Sequence, residues 1–195
     1  EKNKPPTLDP LKFCDPLITL SGDERASVTL RSLKTLWINT GTLCNLTCTS
    51  CYIKSSPTND RLVYITSAEV GTYLDEIAEK NMGTEEIGFT GGEPFMNPDI
   101  IGILEETLKR GFRALVLTNA MRPMAKMQKS LLNLCETYGD RLVLRGSIDH
   151  YDQLYHETER GIRSWEPTIT GIVWLSNNGF MLKIAGRTFW EEDEE

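Results

Sequence analysis

"EIGFTGGEPFMNPDI", residues Glu86–Ile100, changes rhythm halfway along, and that change decides the fold. Glu86 to Thr90 alternates polar and apolar residues and is rich in strand formers, so it reads as a strand. It runs into Gly91-Gly92-Glu93-Pro94, after which the pattern becomes helical. The helix is expected to open at Asn97, with Pro98 in its first turn and Gly111 just past its end.

The same unit repeats on both sides. Upstream, Val28 to Leu33 and Thr35 to Thr40 read as short strands. The stretch from Gly41 to Ile65 has no clear period and carries the turn-forming cluster SSPTND. A loop of that length inside a compact domain is usually functional or disordered. Thr66 and Glu69 then fit a capping box, with Val70, Tyr73, Leu74 and Ile77 at helical spacing and Met82-Gly83 as the stop. Downstream, Arg113 to Thr118 is a strand, a helix starts near Pro123 and stops by Gly139, and Arg141 to Asp149 is another strand. Pro167 to Asn178 reads as helix and Met181 to Thr188 as a last strand.

Strand then helix, four times over and closed by a fifth strand, predicts an α/β fold: parallel strands with helical crossovers, open or closing into a barrel. We expect one domain without an interdomain linker. In such folds the carboxyl ends of the strands form the active face. Here those ends carry Asn39-Thr40, Gly91-Gly92-Glu93, Thr118-Asn119 and Ser147-Ile148-Asp149.

The loop after the first strand holds three of the five cysteines, Cys44, Cys48 and Cys51, spaced C-x3-C-x2-C. A helix face of buried thiols suits the segment poorly, because Thr40, Asn45, Thr47, Thr49 and Ser50 are weak helix formers. Structural zinc would need His150 or His156 as a remote fourth ligand, and it usually draws on paired knuckles that this chain lacks. An electron-transfer cluster would need a fourth thiolate from Cys14 or Cys135. Cys14 stands alone, and Cys135 sits beside Leu131 and Leu134 where a thiol is normally core packing. An iron-sulfur cluster with one iron open to a ligand explains the gap.

CNLTCTSCY after the first strand and GGEP after the second resemble the radical S-adenosylmethionine superfamily, and the resemblance runs from Thr35 to about Thr188. It implies a partial (βα) barrel, with Cys44, Cys48 and Cys51 holding three irons of a 4Fe-4S cluster. S-adenosylmethionine would chelate the fourth iron. Glu93, with Gly91 and Gly92 allowing close approach, would receive its methionyl ammonium. Ser147 and Asp149 resemble the pair that contacts the ribose, and Asn119 is a further candidate. The family's chemistry is reductive cleavage of the cosubstrate to a 5′-deoxyadenosyl radical, which takes hydrogen from a substrate. That step requires no acid or base from the protein.

The chain departs from the family pattern in three ways. Ser50 stands where an aromatic residue usually precedes the last cysteine, and Tyr52 is the alternative for stacking on adenine. In the fifth-strand pattern G-x-I-x-G-x-x-E, Ile184 and Gly186 are in register, but Leu182 and Phe189 replace the first Gly and the Glu. The family core has a sixth strand and helix, so this chain reads as a fragment or an unusually short barrel. We expect an N-terminal extension over 1–34, the core over 35–190 and an acidic tail over 191–195. His150, Tyr151 and His156 either face substrate or form ordinary polar surface. The opposing reading is a metal module without turnover, either iron-sulfur or zinc.

Composition narrows the setting. The formal net charge is -7, and the EEDEE end supplies most of it, so attraction to nucleic acid is not expected. No apolar run approaches the roughly 20 residues of a membrane span, and EKNKPPTLDP lacks the apolar core of a signal peptide. Five sparse cysteines suit a reducing cytoplasm, which makes the sequon Asn45-Leu46-Thr47 incidental. The expected partners are a small-molecule or peptide substrate and an electron donor such as flavodoxin or ferredoxin.

Overall fold

The computed structural model describes residues 9–12 and 14–187, which fall into two compact units divided between Arg31 and Ser32. In the first unit, Ile18 and Glu24 form an antiparallel bridge around a turn at Gly22. Asp15 accepts the amides of Leu17 and Ile18. Those two bonds hold its carboxyl below the usual range.

The second unit is built on five parallel strands: β1 (Thr35–Asn39), β2 (Glu86–Thr90), β3 (Arg113–Thr118), β4 (Leu142–Ser147) and β5 (Met181–Ala185). They pair in sequence order, β1-β2-β3-β4-β5. Sequential parallel strands need right-handed crossovers throughout, which carry the helices to one face and curl the sheet into an open barrel wall. The helices are α1 (Ser67–Glu79), α2 (Ile100–Lys109), α3 (Arg122–Ala125), α4 (Gln128–Tyr138), α5 (Gln153–Arg160) and α6 (Trp165–Asn177).

The core lies between helices and sheet. Ile38, Ile87, Phe89, Ala114, Val116, Leu142 and Leu144 point from alternate strand positions into Val70, Leu74, Ile100, Ile103, Leu104 and Leu131. On the sheet's other face, Gly88 lies under the Trp37 ring, where any Cβ would fall 2.4 Å from a ring carbon. That concave face carries Thr90 and Ser147 at its carboxyl end.

β2 and β3 have the bounds expected from sequence, and α1 begins with the expected reciprocal Thr66–Glu69 capping box. Four segments differ. Val28 to Leu33 forms no strand; Val28 and Leu30 stay 96% and 65% exposed, so apolar character there meets no sheet edge. The second helix starts at Ile100 rather than Asn97. The amide of Asn97 instead bridges two loops, donating to the carbonyls of Thr40 (3.1 Å) and Ile65 (2.8 Å). The helix expected from Pro123 is broken at Lys126-Met127 into α3 and α4. Helix α5 was not anticipated. The end of the fifth strand expected at Thr188, Phe189 and the acidic tail lie outside the described residues, as do residues 1–8 of the N-terminal segment.

Candidate active site

The first two strand ends do not separate into independent loops. Hydrogen bonding continues past β1 and β2. Thr40 N donates to Thr90 O (2.8 Å), Gly92 N to Gly41 O (2.8 Å) and Glu93 N to Leu43 O (3.0 Å). The cysteine loop and the GGEP turn are thus joined backbone to backbone. Glycine is required for that contact. A Cβ on Gly92 would lie 2.1 Å from Leu43 O, and one on Gly91, which also has φ +136°, would lie 2.5 Å from Gly41 O. The two glycines serve the fit of loop on loop, a role that motif spacing did not reveal.

The loop itself is held from within. Thr42 Oγ1 donates to Asn59 O and accepts from Leu62 N, Cys44 N donates to Ser56 O, and Asn59 Nδ2 donates to Lys54 O. Cys44, Cys48 and Cys51 all line one open cavity of about 250 Å³ at the carboxyl end of the sheet. Two sulfurs already accept backbone donors: Leu46 N to Cys44 Sγ (3.4 Å) and Ser55 N to Cys51 Sγ (3.3 Å). Burial pushes the Cys44 thiol up to about 12, with the nearby charge of Glu93 adding to it. Burial also raises Cys48, against the opposing charge of Arg160.

Glu93 lies on the same cavity and is 2% exposed. Its Oε1 accepts from Thr118 Oγ1 (2.8 Å) and Phe95 N (3.2 Å), and its Oε2 from Asn119 N (2.8 Å). Burial raises its pKa to about 7, against those three bonds and the charge of Arg160. A carboxylate has roughly four lone-pair sites, so one is left for a ligand.

Asn119 ties three segments together. Its backbone N–H reaches Glu93, its Nδ2 donates to Asn45 Oδ1 (2.9 Å), and its carbonyl accepts from Thr168 on α6 (3.2 Å). Ser147, last residue of β4, is half-buried on the cavity wall. Asp149 is 4% exposed, and both its oxygens are engaged: Oδ2 by Arg160 Nε (2.7 Å) and Oδ1 by Arg187 Nε (3.0 Å). Tyr52 is 80% exposed at the mouth.

Sequence reasoning missed Ser55, Arg160 and Arg187, all on this wall, whereas Thr118 was among the strand-end residues it named. The Ser55 hydroxyl is buried without a partner. Ser50 stands in the aromatic residue's position. It donates to Glu159 Oε2 (2.7 Å) and accepts from Arg187, while Thr49 N donates to Glu159 O (2.8 Å). Those bonds pin the cysteine loop to the end of α5. The histidines lie elsewhere. His150 Nδ1 accepts from Asp152 N, with its ring stacked 4.2 Å from Tyr151, and His156 is fully buried edge-on to Trp165 at 5.3 Å.

Among the described residues, no three His, Cys, Asp or Glu side chains gather around a point that could hold one metal ion. A single zinc needs donors within about 2.0–2.3 Å of it, so the zinc arrangement with His150 or His156 is not formed. A cluster takes each thiolate on a different iron, and three thiols spread along one wall suit it. The orphaned Ser55 hydroxyl, the spare Glu93 site and two guanidinium groups suit a zwitterionic ligand beside it.

Comparison with known proteins supplies the family. The chain is 31% identical over 153 residues to the antilisterial bacteriocin subtilosin biosynthesis protein AlbA of Bacillus subtilis (strain 168), covering 76% of this chain and 32% of that protein. It is 36% identical over 132 residues to the GTP 3′,8-cyclase of Haemophilus influenzae (strain PittEE), covering 66% of this chain and 37% of the relative. The chain thus spans about a third of the length of these relatives. Among solved structures, Streptococcus suis SuiB bound to S-adenosylmethionine superposes with a TM-score of 0.65 at 19% identity, over 79% of this chain and 34% of SuiB. An anSMEcpe structure with bound AdoMet superposes with a TM-score of 0.59 at 18% identity, over 77% of this chain and 42% of its own. Residues 38–186 match the family model of the radical SAM superfamily, and the chain belongs to that superfamily.

Proposed function

We propose that this chain holds a 4Fe-4S cluster on Cys44, Cys48 and Cys51 and binds S-adenosylmethionine in the adjoining cavity as part of a radical enzyme. The observation that carries the reading is that three thiols and the buried carboxylate of Glu93 line one cavity, on two loops bonded backbone to backbone. Bound there, such a cluster would supply the one electron needed for reductive cleavage of the cosubstrate, the chemistry by which the family takes hydrogen from its substrates.

The chain's own part is positioning. The amides of Leu46 and Ser55 point at two of the sulfurs, Cys44 and Cys51, and hold them in place on the cavity. Glu93 offers its remaining lone pair to the methionyl ammonium, and that partner would draw its raised pKa back down. Arg160, held at the wall by Asp149, supplies positive charge for the carboxylate. Ser147 and Ser55 offer hydroxyls to the ribose side. Asp149, held by two arginines, acts on the ligand mainly through them, and Asn119 is the bracket between the loops. Tyr52 is placed to cover the adenine from the mouth.

The substrate is a peptide or a small molecule. A second SuiB structure, solved with the precursor peptide SuiA, supports a peptide, and AlbA is by name a bacteriocin biosynthesis protein. The reading is tested by anaerobic reconstitution with iron and sulfide, followed by reduction with S-adenosylmethionine present. A cluster signal perturbed by the cosubstrate, with release of 5′-deoxyadenosine, is expected. Alanine at Cys44, Cys48 or Cys51 should abolish the signal, and alanine at Cys14 or Cys135 should leave it. Glu93→Ala should weaken cosubstrate binding while sparing assembly. Copurifying zinc without a cluster, or a cluster indifferent to the cosubstrate, would refute it.

A further inference from the structure

The sequence has a charge asymmetry that the active site does not use. The chain carries a net charge of -7, yet no acidic residue occurs between Glu106 and Glu136, a stretch that holds six Lys and Arg. Two of the six are neutralised: Lys109 pairs with Glu105, and Arg110 with Asp75 and Glu106. Arg122, Lys126 and Lys129 are exposed, and among the described residues none of them forms an ion pair. Arg122 and Lys126 stand one helical turn apart, with the Lys126 amide donating to Arg122 O, so these two share a side, and Lys129 lies past the break in α4.

Arg122 and Lys126 form the rim of a second open cleft, of about 530 Å³. Phe95, Met96, Pro123, Met127 and Asn45 complete its lining. Asn45 follows Cys44 directly, so their Cα atoms are about 3.8 Å apart. Cys44 and Leu46 line the active-site cavity, while Asn45 lines the cleft. The two spaces share no residue. The wall between them is the cysteine loop itself, stiffened by the Asn119–Asn45 bond and by Asn45 Nδ2 donating to the Met121 sulfur (3.6 Å).

We infer that this cleft is the docking surface for an acidic one-electron carrier protein. The inference rests on the three thiols being cluster ligands. A substrate must meet the cosubstrate inside the cavity, and the cleft shares no lining residue with that cavity. An electron needs no such contact. It crosses from the carrier to the cluster through the loop; the carrier is oxidised by one electron, the cluster reduced by one, and no bond or proton moves. Exposed cations without internal partners steer an acidic protein, and thioether and aromatic floors adapt to transient partners.

The test reconstitutes the wild-type chain and the Arg122→Glu/Lys126→Glu double variant with a cluster under anaerobic conditions. The rate of cluster reduction is followed by absorbance and electron paramagnetic resonance. The reductant is a purified acidic flavodoxin in its hydroquinone state, or dithionite. The wild-type rate with flavodoxin should fall steeply with salt. The variant should be slower by roughly tenfold or more at low salt and lose most of the salt dependence. Dithionite should reduce both clusters equally, and their urea midpoints should agree. Equal rates with flavodoxin would overturn the inference, as would an equal slowing with dithionite, which would place the two residues in cluster binding. So would a variant reduced normally but impaired in converting its substrate, because the cleft would then seat the substrate. A wild-type chain that assembles no cluster would instead refute the reading of the active site on which this one stands.

Discussion

Replacing Gly92 with alanine separates two explanations of the GGEP motif. If the glycine only admits a ligand, the variant should fold normally and bind cosubstrate poorly. The structure gives a different expectation. The added Cβ would sit 2.1 Å from the Leu43 oxygen, 2.6 Å from its carbonyl carbon and 2.9 Å from Thr42 O, all of them backbone atoms that no side-chain rotation can clear. The loops must part, and the bonds from Gly92 N to Gly41 O and Glu93 N to Leu43 O are the first to go. At about 1 kcal/mol each, they account for roughly 2 kcal/mol. Overpacking adds about 1–3 kcal/mol, so the expected loss is about 3–5 kcal/mol, against a total stability on the order of 5–15 kcal/mol. Urea denaturation of the metal-free chain measures the loss, and iron content after reconstitution should fall with it. Gly71→Ala is the internal control. Gly71 lies in α1 with its nearest atom 3.9 Å from the new methyl, and the change should stabilise by about 1 kcal/mol or less. A Gly92→Ala chain within 1 kcal/mol of wild type that loads iron fully would show that the loop-to-loop contact is not what the glycine serves.

The raised pKa of Glu93 makes stability depend on pH in a defined direction. A folded-state value of about 7 against an ordinary 4.5 means that the folded chain holds the proton more tightly. The stabilisation is therefore complete below pH 4.5 and is lost as pH rises to about 7, by an amount on the order of 3 kcal/mol. Denaturation midpoints at intervals across that range, compared with Glu93→Gln, isolate the contribution; the same pH dependence in the variant would assign it to other groups. Asp149→Ala should cost about 3 kcal/mol or more, because the Arg160 side chain, 11% exposed, loses its carboxylate, whereas Arg187→Ala at a 47% exposed side chain should cost under about 1 kcal/mol. Equal losses from the two substitutions would refute that ranking.

The strands and the cysteine loop were legible in the sequence because their signals are local. The alternation of EIGFT and the Thr66–Glu69 cap each lie within a handful of residues, and the strands appear at the expected bounds for β2 and β3. Helix α5 was not legible, for a physical reason. QLYHETER carries no apolar stripe, and the only residue it buries is His156, which packs against Trp165 on the next helix. Its existence is decided by a tertiary contact that periodicity does not report.

That helix also explains what a change at one position in the cysteine loop does. An aromatic residue before Cys51 would present a flat face to a ligand; Ser50 presents a hydroxyl that engages Glu159 and Arg187. Arg187 and Arg160 are both anchored on Asp149, and Arg160 belongs to the same α5 as Glu159. One connected set of polar contacts therefore runs from the loop bearing the three thiols, through the end of α5, to the end of β4. Ser50 thus forms a structural clasp where the family pattern has a ring, and in the function proposed above the aromatic cover would fall to Tyr52 at the mouth. Ser50→Ala would remove the clasp without adding a ring, whereas Ser50→Phe would break it while supplying one. Comparing cosubstrate affinity in the two variants shows which of the two functions the position performs. Loss in both assigns it to the clasp, loss in the alanine variant alone shows that an added ring can replace the clasp, and no loss in either would refute a role for the clasp in cosubstrate binding.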